Sequence, residues 1–109
     1  MAQNIREFNF DTDIEATLAR IKELLLVKGK EYRRNNNPYH NFERGAEIKN
    51  KTPFEVLEMF RLKHLISVED MQNDLKKGIS PNKEKVNEKY DDIIVYYLIE
   101  KAMMLNLSK

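Results

Sequence analysis

TPFEVLEMFRLKHLISVEDMQNDLKKGIS, residues 52–80, is the stretch that decides the fold. Thr52 has the place of an N-cap, Pro53 the first helical position and Glu55 the third, so hydroxyl and carboxylate can satisfy free amides reciprocally. Leu57, Phe60, His64, Val68, Met71 and Leu75 then recur on one face, and Met59, Leu62 and Ile66 form a second apolar strip. Gly78 marks the stop. The pattern predicts a long helix with two apolar strips.

Downstream, Ser80 is read as the cap and Pro81 as the first residue of a last helix running to about Asn106, roughly 39 Å at 1.5 Å per residue. Val86, Tyr90, Ile93, Tyr97 and Met104 line one side; Val95, Ile99 and Ala102 line the opposite one. A helix apolar on both sides belongs at the centre of a bundle or of a dimer. Upstream, Thr12 and Glu15 have capping-box spacing before Ile14, Leu18, Ile21 and Leu25, which predicts a first helix ending at Gly29 or running on to about Arg34. The triple Asn and Pro38 stop it. Asn41 is a candidate cap for a short helix over 41–51. The expected fold is all-α: one domain over 1–109, three long helices plus one short one, completed by homodimerisation, with 1–11 as an extended arm.

Composition agrees. Of 109 residues, 41% are hydrophobic and 34% charged, and five Phe and five Tyr argue against disorder. Nineteen basic and 18 acidic residues leave a net charge of +1, so no global field favours duplex DNA. Cysteine is absent, which removes disulfides and thiolate metal sites and suits the cytoplasm. No apolar run approaches the ~20 residues of a membrane span, so no membrane partner is expected.

Polar residues interrupt the apolar pattern at three places. Glu88, Asp91 and Asp92 converge on a face that continues into Val95 and Ile99. Like charges crowded near apolar surroundings need a cation, a basic side chain or protonation, and Mg²⁺ is the usual answer where phosphate is also bound. The bland alternative is a solvated helix start. On the preceding helix, Lys63, Ser67, Asp70 and Asp74 share a face and His64 sits in the apolar stripe. Lys63 suits phosphate, with Ser67 or a carboxylate of the last helix as its expected partner; His64 is a packed histidine or a group that orients water. The third place is EYRRNNNPYHNFERG, residues 31–45. Tyr39, His40 and Phe42 supply rings, Asn41 and the triple Asn supply amides, and Arg33, Arg34 and Arg44 supply forks for phosphate. Stacking, amide edges and guanidinium together are a chemistry for nucleotides. Against that, Phe42 serves equally as a core anchor and Asn41 as a cap.

The ordered pieces KGKEY, NPYHNFERGAE, TPFEVLEMFRLKHLISVED and NEKYDDIIVYYLIEKAM resemble the nucleotide modification associated domain type 1 family of phages and bacteria, over about residues 24–105. The resemblance rests on Asn41-Phe42, on Lys63-His64 followed by Ser67 and Asp70, and on Glu88-Lys89 followed by Asp91 or Asp92. It implies a part in phage pathways that handle nucleotides. A weaker similarity leads to MazG-type nucleotide pyrophosphohydrolases, which hold Mg²⁺ on paired acidic motifs; Glu88-x-x-Asp91 fits one, and Glu55-x-x-Glu58 has the spacing of the other.

Three functions are therefore open. The first is a nucleotide-binding protein that hydrolyses or modifies a (deoxy)nucleotide: Glu88, Asp91 and Asp92 on Mg²⁺; Lys63, Ser67 and Arg44 on phosphate; His64 and Asp70 as catalytic groups; Tyr39, Asn41 and Phe42 on the base. The second is a non-catalytic protein that sequesters a nucleotide signal of host defence. The third is a pure protein-interaction module.

Overall fold

The computed structural model describes residues 8–108, which fold into four helices: α1 Phe10–Tyr32, α2 His40–Lys49, α3 Pro53–Lys76 and α4 Lys83–Leu107. The described residues contain no β-strand, and no helix among them is long and apolar enough to cross a membrane. The architecture is the all-α set of three long helices and one short one that the periodicity predicts.

Helix α3 starts as read. Thr52 Oγ1 accepts from the Glu55 amide at 3.1 Å, and Glu55 Oε1 accepts from the Thr52 amide at 3.0 Å. Those bonds to the charged form hold the Glu55 carboxyl below its ordinary range. Gly78, at φ 79°, closes the far end.

The other helix starts differ from expectation. Helix α4 is capped by Asn82, not Ser80: Asn82 Oδ1 accepts from the Lys85 amide at 3.1 Å, and Pro81 stands before the cap. Asn is as good a cap as Ser, and the residue ahead of a proline is pushed out of helical geometry. Helix α1 begins at Phe10, with Asn9 at the cap making no side-chain bond, so Thr12 lies inside the first turn and the extended arm cannot reach residue 11. Residues 1–7 of that arm lie outside the described residues. In α2, Tyr39 is the cap residue and Asn41 falls within the first turn. The Asn run forms a tight turn, with Asn35 and Asn36 left-handed at φ 52° and 63°, a region asparagine tolerates better than most residues.

Packing follows the two-sided α4. It lies against α3 along its main interface and against α1 on another face, while α2 packs on α3. Val95 and Ile93, on different faces of α4, are both buried. The core joins Tyr32, Phe42, Ala46, Val56, Leu57, Tyr96 and Met103. Gly45 lets α2 approach closely, since a Cβ there would stand 3.1 Å from Val56.

The predicted α1 stripe is only half used. Ile21 is 4% exposed, but Ile14 is 43% and Leu18 61% exposed. The chain is elongated, 63 × 28 × 26 Å, with a radius of gyration of 17.5 Å, against roughly 13 Å for a compact domain of this length.

Candidate functional site

Antiparallel packing of α3 and α4 leaves a cleft of about 490 Å³ on their seam, lined by Phe60, Lys63, His64, Ile66, Ser67, Lys89 and Tyr96. Lys63, His64 and Ser67 fall on one arc of α3 because they are spaced i, i+1, i+4. Lys89 and Tyr96 come two turns apart from α4 and face them. The cleft thus combines two ammonium groups, an imidazole, a hydroxyl and two aromatic rings.

Behind it stands a row of rings. Tyr32 and Phe42 have centroids 5.1 Å apart, Phe42 and Phe60 5.6 Å, and Phe60 and Tyr96 6.4 Å. His64 stacks on Tyr96 at 5.8 Å and 29°. Tyr32 and Tyr96 share a hydroxyl hydrogen bond of 3.2 Å. Burial, with that bond, pushes the Tyr32 phenol well above its ordinary value, so it stays neutral.

One carboxylate serves this cluster. Asp92 lies 3.7 Å from His64 Nε2 and 3.8 Å from Lys28 Nζ, and Lys28 also sits 5.5 Å from the Tyr96 ring centroid. Desolvation is the largest influence on His64 and lowers its pKa; Asp92 opposes it, and Lys89 and Lys28 reinforce it. His64 is therefore a neutral imidazole near pH 7. Its Nδ1 is buried without a hydrogen-bond partner.

The sign of the pH effect follows. The unfolded chain takes up the His64 proton at about 6.5, and the folded chain does so only at lower pH. This contribution to stability is complete above about pH 6.5 and is lost as pH falls below it through the depressed folded value. Unfolding free energies between pH 7 and 5 are expected to fall more steeply for the wild type than for His64→Gln. Parallel curves would show that the imidazole is not desolvated.

The acidic trio does not form one ligand set. Asp91 is buried and taken by Arg20, whose Nε donates to Oδ2 at 2.6 Å, and that bond raises the Arg20 pKa. Asp92 is flanked by Lys28 and His64, and the exposed Glu88 reaches Lys89 at 3.5 Å. Among the described residues no three His, Cys, Asp or Glu side chains are placed to share a metal ion. Of the three means of compensating crowded carboxylates, this chain uses basic side chains, so the residues present do not fit a Mg²⁺ centre.

The other expected site residues separate. Phe42 is fully buried, packed between Tyr32 and Phe60, and has no surface for a base. Asn41 Nδ2 donates to the Glu31 carbonyl at 3.4 Å, and Arg44 pairs with Glu47 at 2.7 Å on the surface. Tyr39 lines a separate apolar hollow with Pro53, Phe54 and Met103. The Asn-aromatic segment stands behind the ring row, where Phe42 packs on Phe60, and no residue of 31–45 lines the cleft. His64 and Lys63 are at the cleft, and Ser67 joins them with its hydroxyl donating to the Lys63 carbonyl at 3.1 Å. Lys63 forms no ion pair among the described residues, so the expected carboxylate partner is not there. Asp70 lines the adjoining hollow, and the acid beside His64 is Asp92.

Sequence reasoning gives no site role to Lys28, Lys89 or Tyr96, although Lys89 carries part of the family resemblance. Lys89, Asp92 and Tyr96 are spaced i, i+3, i+7, a single face, and that spacing was the available signal. Lys28 had none, since its approach depends on how α1 crosses α4. Comparison with protein-family models, curated proteins and solved structures finds no match to this chain.

Proposed function

We propose that the chain is a nucleotide-binding protein whose ligand occupies the α3–α4 cleft and is held without being hydrolysed. The observation that carries this reading is the meeting of Lys63, Lys89, His64 and Ser67 with the rings of Phe60 and Tyr96 in one hollow. Ammonium groups and a hydroxyl suit phosphate, and the exposed ring of Phe60 suits a base, while Tyr96, buried against His64 and Lys28, backs the cleft. The neutral His64 can donate one hydrogen bond to a phosphate oxygen, or gain a proton as an anion enters. The resemblance to the phage nucleotide family supports the same ligand class. In that setting the protein acts in the host cytoplasm, withdrawing a nucleotide signal from a defence pathway.

Titration calorimetry with a panel of nucleotides tests the proposal. Each charge-assisted bond is worth about 1.5–3 kcal/mol, so Lys63→Ala with Lys89→Ala should weaken binding at least about a hundredfold. The helical circular dichroism of this variant should be unchanged, because neither lysine is in the core. The ligand recovered after long incubation with Mg²⁺ should be intact. Turnover would restore Mg²⁺-assisted hydrolysis, with Asp91 and Asp92 released from their basic partners. Absence of affinity for the whole panel would leave the interaction-module reading.

A further inference from the structure

The cleft does not stop at Ser67 and Lys89. Those two residues also line a second hollow of about 280 Å³, which continues along the same seam between Asp70 and Asp74 of α3 and Ser80, Asn82 and Lys85 at the start of α4. The two hollows form one trough running from Phe60 to Asp74, about 21 Å along α3 at 1.5 Å per residue. That is longer than a mononucleotide needs.

The chemistry changes along the trough. At the Phe60 end it is aromatic, and at Lys63 and Lys89 it is cationic. At the far end two carboxylates one turn apart face an ammonium group across the seam. Asp70, Asp74 and Lys85 form no ion pair with one another or with any other described residue. Asn82 spends its Oδ1 on the Lys85 amide and keeps its NH₂ to donate. The far hollow therefore offers acceptors on one wall and donors on the other. Hydroxyls both give and accept hydrogen bonds, so this is the pattern of a polyhydroxylated ring. A terminal phosphate pushed into the same place would meet Asp70 and Asp74 as like charges.

We infer that the ligand of the trough is a nucleotide whose phosphate bridges to a second, polyhydroxylated moiety lodged between Asp70 and Asp74 on one side and Lys85 on the other. The inference rests on the nucleotide reading above and narrows its ligand class. The phosphate bridge lies at Lys63 and Lys89, where the two hollows join. The second moiety is a sugar, as in a nucleoside diphosphate hexose, or the ribose of a second nucleoside; both present vicinal hydroxyls.

The test is calorimetric, on the full chain and on an Asp70→Asn, Asp74→Asn double variant. For uracil and for adenine, the probes are the monophosphate, the triphosphate, the diphosphate hexose and the dinucleoside diphosphate. At least one bridged ligand should bind wild type about tenfold more tightly than the triphosphate of the same base. The double variant should bring the two within about threefold, the bridged ligand weakening and the triphosphate gaining. The hexose and dinucleoside arms identify which moiety is seated. A triphosphate that binds wild type best, a monophosphate as tight as any bridged ligand, or a preference untouched by the double variant would overturn the inference and leave nucleotide binding standing. Failure of every probe to bind would remove both.

Discussion

Replacing Phe42 by alanine is expected to cost about 3–5 kcal/mol of folding stability, a large part of the roughly 5–15 kcal/mol that holds a small domain together. The ring is fully buried and touches Tyr32 on one side and Phe60 on the other. Truncation removes its transfer energy and leaves a hole in the ring row behind the cleft. Neighbours on three helices would have to move together to fill it. Urea titration followed by circular dichroism measures the loss. Phe42→Leu, which keeps most of the apolar volume, should recover a good part of it. Arg44→Ala, just over half a turn away on the exposed face, should change stability by no more than about 0.5 kcal/mol. A Phe42→Ala protein as stable as wild type would mean that α2 does not pack on the core as described.

The second large effect is asymmetric. Arg61 is buried; its Nη1 donates to Glu100 Oε1 at 3.0 Å and its guanidinium lies 4.0 Å from the Tyr97 ring centroid. Its Nε has no partner. Glu100→Ala leaves that guanidinium buried without a counter-charge, which costs about 3 kcal/mol or somewhat more. Arg61→Met removes the charge that needs solvation and keeps the apolar stem, so it should be near neutral or mildly stabilising. Thermal unfolding of both variants should rank Glu100→Ala well below Arg61→Met. The reverse order would show that the pair contributes net attraction beyond its desolvation cost.

The helices could be read from sequence because each has a period and a stop. Thr52, Pro53 and Glu55 fixed the start of α3 through local hydrogen bonds, which need no tertiary context. Where two caps competed, as with Ser80 and Asn82, the backbone restriction ahead of Pro81 decided, and periodicity carried no information about it. The site was half legible. Lys63, His64 and Ser67 share an arc of one helix, so spacing placed them together. Their opposite wall, Lys89 and Tyr96, needed the register of α3 against α4. The acidic trio was correctly read as wanting compensation, but Arg20 and Lys28 come from α1, some 70 residues away in sequence for the Arg20–Asp91 pair. The segment 31–45 is ambiguous in sequence because aromatic and amide groups fit a binding loop and a packed turn equally well. Burial of Phe42 distinguishes the two, and burial of a single ring has no sequence signature.

Arg20 ties α1 to Asp91 of α4, and Ile14 and Leu18, within about two turns toward the start of α1, are exposed. The first helix is thus apolar and open toward its start and packed toward its end, where Tyr32 enters the core. Lys28, about two turns past Arg20 on the same helix, stands beside Asp92. One unbroken helix therefore joins an uncovered apolar start to the ammonium group that flanks Asp92, the carboxylate beside His64.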